Sequence, residues 1–181
     1  MKAKMKSIIA ILVIFITLGC KENKNHQEVE MNTPEEIKKE KAKTADIADQ
    51  GFIDGMTGKA WHNYLQLKMA LVNSDASAAN TAAGNLAESF GNDREEIKML
   101  AQQIANSDDL EEQRSLFYQF SEKTETLFKD ALNKGTIYKQ YCPMAFNNQG
   151  AYWLSDVSEI RNPYFGDKML KCGSITETIS K

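Results

Sequence analysis

The sequence is poor in histidine, proline and cysteine, and these shortages limit the chemistry it can carry. Of 181 residues, two are His, three are Pro and three are Cys. His26 and His62 lie far apart in the chain, so we expect neither a His-rich metal site nor a Cys/His catalytic pair, and we interpret His62 as a surface or packing residue. Phosphate-binding glycine loops, GxSxG elbows and HExxH helices are also absent from the sequence. We therefore do not expect an enzyme.

An excess of positive charge is lacking too. The chain has 22 Lys+Arg against 25 Asp+Glu, a formal net charge of -3 and a pI near 5.5. Proteins that neutralise phosphates need a basic surface, so nucleic acid is not an expected partner. The hydrophobic fraction is 42% and the charged fraction is 26%, which is typical of one folded domain and excludes a wholly disordered chain.

Long hydrophobic runs are confined to the N-terminus. Lys2, Lys4 and Lys6 precede an apolar run over residues 8–18. This run is too short to cross a bilayer core of about 30 Å as a helix, but it is typical of the central region of a signal peptide. We therefore predict that residues 1–19 are a signal peptide and not a transmembrane anchor.

Cys20 directly follows this run. The sequence from Ile16 to Cys20 resembles a bacterial lipoprotein box, although Thr17 stands where the box usually has Leu. The resemblance implies cleavage before Cys20, attachment of lipid to its thiol, and a periplasmic or cell-envelope protein anchored to a membrane. The alternative is an ordinary cleaved signal peptide with an incidental Cys20.

The remaining chain divides into a tether and a domain. Residues 20–50 are nearly free of large apolar side chains, so we predict a disordered tether. Residues 51–181 are predicted to form one domain. Helical periodicity over residues 58–73, 76–90, 93–104 and 108–135 predicts a mainly α fold, an up-and-down four-helix bundle. We expect Asp93 with Glu96 and Asp108 with Glu111 to form capping boxes, and Gly91 and Gly135 to end the second and fourth helices.

After Gly135 the pattern changes to a small, irregular C-terminal cap of short strands and turns. Residues 136–141 and 150–154 are short and β-prone, residues 162–166 have the composition of a turn, and residues 167–171 could form one helical turn. The cap is rich in aromatic residues, so we expect it to pack against another part of the domain.

Four sulfur-containing residues fall within this C-terminal cap: Cys142, Met144, Met169 and Cys172. Thiolate and thioether ligands prefer Cu(I) and its analogue Ag(I). Pro143 favours an extended backbone at Cys142, which would place Cys142 and Met144 on one side of a strand. Met169 and Cys172 would share a face if their turn were helical. The four residues therefore suggest a site for a soft metal ion.

A structural disulfide between Cys142 and Cys172 is the other interpretation of the same residues. If lipid modifies Cys20, these are the two remaining thiols, and cysteines in an oxidising compartment ordinarily pair. Such a bridge stabilises a fold by about 2 to 4 kcal/mol. The methionines would then be core residues. The two interpretations are compatible if reduction breaks the disulfide and frees the thiols to bind copper.

The C-terminal cap also resembles a known bacterial family. The resemblance rests on the following residues: Cys142-Pro143-Met144-Ala145, Trp153-Leu154, Asn162 to Gly166, Met169 and Cys172-Gly173. They are similar to the domain of unknown function 3347 family over about residues 57–179. Members of that family are extracytoplasmic lipoproteins or C-terminal extensions of the periplasmic adaptor proteins of copper and silver efflux systems. The resemblance therefore implies an extracytoplasmic protein with a role in copper or silver handling. It further implies that Cys142, Met144, Met169 and Cys172 hold the metal.

Two functions follow as hypotheses. The first is a lipid-anchored periplasmic domain that binds Cu(I) or Ag(I) for buffering or for delivery to a metal-efflux or maturation protein. The second is an envelope interaction module without metal, stapled by a Cys142–Cys172 disulfide, whose exposed aromatic residues dock another protein.

Overall fold

The computed structural model describes residues 50–181, so the predicted signal peptide, lipidated Cys20, His26 and all but the last residue of the tether lie outside the described residues. Within them the fold is mainly α, as predicted. The long helices are α1 (Gly55–Val72), α2 (Ala76–Ala87), α3 (Glu95–Asn106) and α4 (Leu110–Ala131). Each helix packs against the next along the chain, and α4 also contacts α1. In the described part of the chain, no helix is long and apolar enough to cross a membrane.

The helix ends differ from the predicted ones in several places. Helix α1 begins three residues earlier than expected, because the Asp54 side chain accepts a hydrogen bond from the Thr57 amide. Helix α2 ends at Ala87, so Gly91 is not its cap. Gly91 instead precedes a 3₁₀ turn over Asn92–Arg94.

Neither predicted capping box forms. Helix α3 follows Arg94, which makes no side-chain cap. Helix α4 is capped by Asp109 and not by Asp108: one carboxylate oxygen of Asp109 accepts from the amides of Glu111 and Glu112. Periodicity locates a helix, but a cap depends on one side chain reaching one amide, and neighbouring acidic residues compete for that role.

The core joins the helices through stacked aromatic rings. Tyr64 of α1 stacks on Trp61 and on Phe117 of α4, with ring centroids 5.6 and 5.1 Å apart. The Tyr64 hydroxyl hydrogen-bonds Ser121 and accepts from the amide of Leu154 in the C-terminal cap, at 2.9 and 3.0 Å. Burial raises the pKa of Tyr64 well above its usual value, so this hydroxyl stays protonated and can serve both neighbours.

The C-terminal cap contains short antiparallel strands and turns, as predicted, with a register shift between Lys139 and Gln140 where β3 (Thr136–Cys142) pairs with β5 (Ser174–Ser180). Strand β1 (Gly51–Phe52) pairs with β2 (Leu132–Lys134), and α4 therefore ends at Ala131 instead of running to Gly135. Gly135 lies between β2 and β3 with a positive φ of 95°. A second sheet has the order β4-β3-β5. Its strands are β3 (Thr136–Cys142), β4 (Ala151–Ser155) and β5 (Ser174–Ser180). Strand β5 was not predicted.

Between β3 and β4 the four-residue segment α5 (Ala145–Asn148) contains left-handed residues. Phe146 has φ 50° and ψ 57°, and Asn147 has φ 57° and ψ 44°. Such consecutive non-glycine residues are unusual, since each costs about 1–2 kcal/mol in this region. The Phe146 ring packs on Tyr118 and Tyr164 at 5.6 and 5.2 Å, and this packing helps hold the turn.

Candidate functional site

The thiols of Cys142 and Cys172 meet at one end of the three-stranded sheet. Their Sγ atoms lie 2.8 Å apart, although thirty residues separate them in the chain. A covalent S–S bond is about 2.05 Å long, and the structure contains no bond between the two cysteines. The described structure thus brings the side chains of Cys142 and Cys172 into direct contact, as both interpretations of the predicted site require.

Strand register explains why the thiols meet. Cys142 is the last residue of β3 and pairs with Ala151 of β4. On the other side of β3, Tyr141 pairs with Ser174, the first residue of β5. The two residues before Ser174 are Cys172 and Gly173, so the chain entering β5 passes beside the end of β3. Gly173 is needed there: it has φ 150°, and a Cβ would lie 3.0 Å from the Tyr141 carbonyl oxygen and 3.1 Å from the Trp153 ring.

The turn that carries Cys172 is held by a buried asparagine. Asn162 is fully buried; its side-chain amide donates to the Cys172 carbonyl at 2.8 Å, and its backbone amide donates to the Leu170 carbonyl at 2.8 Å. Sequence reasoning placed Asn162 only in a turn. The Asn-Pro pair in the sequence did suggest a hydrogen bond to nearby backbone, because Asn before a turn often forms one. The sequence could not show that the Cys172 carbonyl is the acceptor.

Arg114 ties this turn to the helices. This side chain is 3% exposed. Its guanidinium donates to the Pro163 carbonyl at 2.9 Å, and to the Leu71 carbonyl and Ser74 hydroxyl at 3.3 and 3.0 Å. Helices α1 and α4 thus form a rigid base for the segment that presents Cys172. Sequence reasoning missed Arg114, since nothing in the α4 pattern marks an inward-facing arginine.

The two thiols have different surroundings. Cys142 is fully buried, whereas Cys172 is partly exposed. Burial, together with the hydrogen bond and charge of Cys142, raises the pKa of Cys172 to about 12, opposed by the Met144 amide, which donates to the Cys172 sulfur. The Cys172 thiol is therefore protonated at neutral pH, and a metal ion would have to displace its proton.

The methionines are arranged differently from the prediction. Met144 is not on an extended strand with Cys142: β3 ends at Cys142, and Met144 has φ -89° and ψ -10° with its side chain 44% exposed. Met169 is not helical either, with φ -152° and ψ 54°. Instead, a turn links it to Cys172, whose amide donates to the Met169 carbonyl at 3.1 Å. Both methionines are joined to Cys172 by backbone hydrogen bonds at turns and not by a shared strand or helix face.

The cysteine pair partly fits a soft ion. Thiolates and thioethers are the right donors. In residues 50–181 no group of three or more His, Cys, Asp or Glu side chains could hold a metal, so an ion here would need methionine ligands. Two thiolates at about 2.3 Å from a tetrahedral ion lie roughly 3.8 Å apart, and the 2.8 Å observed would have to widen. His62 is exposed on α1, as expected of a surface residue.

Most aromatic residues of the C-terminal cap are used in packing. Trp153 and Tyr164 are 0% and 4% exposed, and their rings meet edge to face at 5.8 Å. In the described residues, the large hydrophobic side chains that are exposed include no aromatic one: they are Ile53, Met99, Met144, Val157 and Ile175. The prediction that the cap packs against the domain is confirmed, while Tyr138, Tyr141, Phe146, Tyr152 and Phe165 remain partly exposed.

Fold and site together define a small, mainly helical domain whose C-terminal sheet brings two free thiols into contact. Residues 60–135 match the model of the family described as "Protein of unknown function (DUF3347)". Over these helical residues, the match supports the family predicted from the sequence. The matched residues end before Cys142, so the motif on which the resemblance rested lies outside them. No curated protein and no solved structure matches the chain.

Proposed function

We propose that this domain binds one soft metal ion, Cu(I) or Ag(I), through the thiolates of Cys142 and Cys172. The observation that supports it is the 2.8 Å approach of two free thiols from segments thirty residues apart. Met144 and Met169 are the proposed thioether ligands, since each lies in a turn that hydrogen-bonds Cys172 through its backbone. We propose a binding role and no catalysis.

The buried supports give this proposal a physical basis. Asn162 and Arg114 hold the Cys172 turn on the helices, so this segment is in place before an ion arrives, and the sulfurs need only separate from 2.8 Å to roughly 3.8 Å to admit it. Preorganised ligands lose less entropy on binding than mobile ones. The half-exposed Met144 side chain leaves an open side through which an ion could enter and leave, as buffering or delivery requires.

The setting of this function is part of the proposal. We propose that Cys20 carries lipid, that the domain lies in the periplasm or cell envelope at a membrane, and that a metal-efflux or maturation protein receives the ion. Within the domain, we propose that the four long helices form an up-and-down bundle. The short connections after α1 and α3, and the contact of α4 with both α3 and α1, support that arrangement.

A competitive Cu(I) titration of the reduced, oxygen-free full chain tests metal binding. Every sample carries Cys20→Ser, so that this thiol does not bind copper. We expect one tightly held ion, its loss in Cys142→Ser/Cys172→Ser, and weaker binding in Met144→Leu/Met169→Leu. Met99→Leu is the matched control, because Met99 is similarly exposed, at 49%, on α3. The proposal is wrong if the folded double cysteine variant competes with the chelator as well as the parent chain does.

A structural disulfide is the second candidate, and the same 2.8 Å distance favours it, because the sulfurs need to approach rather than separate. In this reading the domain is an envelope interaction module. Thermal unfolding of the metal-free chain with and without reductant separates the candidates. A structural bridge predicts a large fall in Tm on reduction, whereas a metal site predicts a stable reduced form whose Tm rises when Cu(I) is added.

A further inference from the structure

The two thiols of the cysteine pair are not equivalent to a reagent arriving from solvent. Cys142 has no exposed surface and belongs to the hydrophobic core. Cys172 is partly exposed and packs against the edge of that core. A disulfide reagent has to place its sulfur against the attacking sulfur, in line with the bond that breaks. It can reach Cys172 in the folded domain, but it cannot reach Cys142.

The contact between the thiols supplies the second half of a reaction. Once Cys172 is joined to an incoming sulfur, the Cys142 sulfur is already beside it, at 2.8 Å in the free-thiol state. The Cys172 turn is held from behind by Asn162, so the pair need not separate for the second attack. Attacking and resolving thiols of dithiol proteins are distinguished in this way, by access and by proximity.

We propose that Cys172 is the attacking thiol and Cys142 the resolving thiol of a reversible disulfide exchange that switches the metal site off. The loss of metal binding on oxidation rests on the proposed metal function, whereas the disulfide exchange itself does not. The oxidant is a small or protein disulfide. The Cys172 thiol first loses its proton; the resulting thiolate attacks the disulfide, forms a mixed disulfide and releases a thiolate that takes up the proton. Cys142 sulfur then attacks Cys172 sulfur and releases the second thiol.

The electrons balance in this exchange. Two cysteine thiols are oxidised to one disulfide, and the incoming disulfide is reduced to two thiols that carry away both protons. A thiol reductant reverses the sequence. With both sulfur atoms in the bridge, neither can act as a thiolate ligand, so the oxidised domain would keep at most its methionine ligands and lose tight Cu(I) binding.

Oxidised glutathione is the probe, added to the reduced, metal-free full chain with Cys20→Ser in every sample. Acid quenching and mass spectrometry follow the products. We expect Cys142→Ser to accumulate one glutathione on Cys172, and Cys172→Ser to react at least about tenfold more slowly. The parent chain should close its bridge with only a transient adduct, which peptide mapping of early samples should place on Cys172. This mapping uses the unsubstituted pair and so does not depend on variant folding.

Each of five outcomes would overturn one part of the proposal. An early adduct on Cys142, or equal rates in the two variants, would refute the assigned order. A stable adduct on the parent chain would refute resolution by Cys142. Finally, Cu(I) competition is repeated on the oxidised and the re-reduced chain. Equal binding by both forms would refute the switch, whereas absence of binding by the reduced form would refute the proposed metal function while leaving the exchange order standing.

Discussion

Glu125 of α4 and Lys139 of β3 form an ion pair in which both carboxylate oxygens lie 2.8 Å from the ammonium nitrogen. The Lys139 nitrogen also lies 3.8 Å from the centre of the Tyr152 ring on β4, and Lys129 lies 3.4 Å from Glu125. This network joins the sheet that carries the cysteine pair to the longest helix.

Acid should weaken this joint. Burial opposes the charged form of Glu125, but hydrogen bonds and the charge of Lys139, with Tyr152 and Lys129, outweigh it and hold the pKa below the ordinary 4.5. The stabilisation is therefore present above pH 4.5 and lost as pH falls through the lower folded value. Glu125→Gln should cost about 1 kcal/mol at pH 7 and progressively less towards pH 3, measured by urea unfolding. Glu122→Gln, at an exposed position, is the control; an equal loss there would contradict the prediction.

A buried lysine offers a sharper test of the core. Lys68 of α1 is 2% exposed and contacts Ser155 and Asp156 at 2.9 and 3.2 Å. Burial lowers the pKa of Lys68, while Asp156 opposes that shift. Asp156→Asn should cost about 3 kcal/mol, because it leaves a buried charge without its partner, and Lys68→Met/Asp156→Asn should recover part of the loss.

Guanidinium unfolding measures both Asp156→Asn and the double variant. The matched control is Glu96→Gln, which removes the exposed ion pair of Glu96 with Lys123 and should change stability by less than about 1 kcal/mol. If Asp156→Asn cost no more than Glu96→Gln, Lys68 would not depend on its buried partner.

The left-handed turn after Met144 should be relieved by glycine. Asn147 has φ 57°, where glycine has no Cβ penalty, so Asn147→Gly should stabilise the domain by about 0.5–1 kcal/mol in thermal unfolding. The same change at Asn85, exposed within α2, should destabilise the domain by about 0.3 kcal/mol. If glycine changed the stability in the same direction at Asn147 and at Asn85, the backbone strain at Asn147 would not explain the effect.

Gly173 should tolerate no side chain. A Cβ there would lie 3.0 Å from the Tyr141 carbonyl, 3.1 Å from the Trp153 ring and 3.2 Å from Ile160. Gly173→Ala should therefore destabilise the domain by about 1–3 kcal/mol and shift tryptophan fluorescence. Gly55→Ala is the control, since a Cβ at Gly55 meets nothing within 4 Å. A Gly173→Ala chain as stable as Gly55→Ala would contradict the close packing beside Cys172.

Copper affinity should rise with pH if the proposed site is real. The pKa of Cys172 is raised to about 12, first by burial and then by Cys142, so its proton must leave when the thiolate binds metal. We expect apparent Cu(I) affinity to increase at least about tenfold per pH unit between pH 6 and 8. Competitive titrations against a chelator of known pH dependence measure this, and a flat profile would exclude thiolate ligation by Cys172.

Much of the helical part could be read from the sequence. Amphipathic periodicity located α1 to α4 because each buries a continuous apolar stripe, and this stripe recurs every three to four residues whatever the partner is. The same reasoning located β3 and β4 within one or two residues. It missed β5, whose residues are nearly all exposed, because an edge strand with little burial has no clear alternation to recognise.

The sequence by itself determined the mainly α fold and the inventory of soft sulfur donors, because these depend on local periodicity and residue type. Only the tertiary structure decided that Cys142 and Cys172 meet, since the register of β3 with β5 joins segments that no local pattern relates. It also decided that Asn162 and Arg114 hold the Cys172 turn and that Cys172 alone of the pair faces solvent. Contacts between distant segments depend on strand pairing and packing, and one-dimensional patterns do not contain that information.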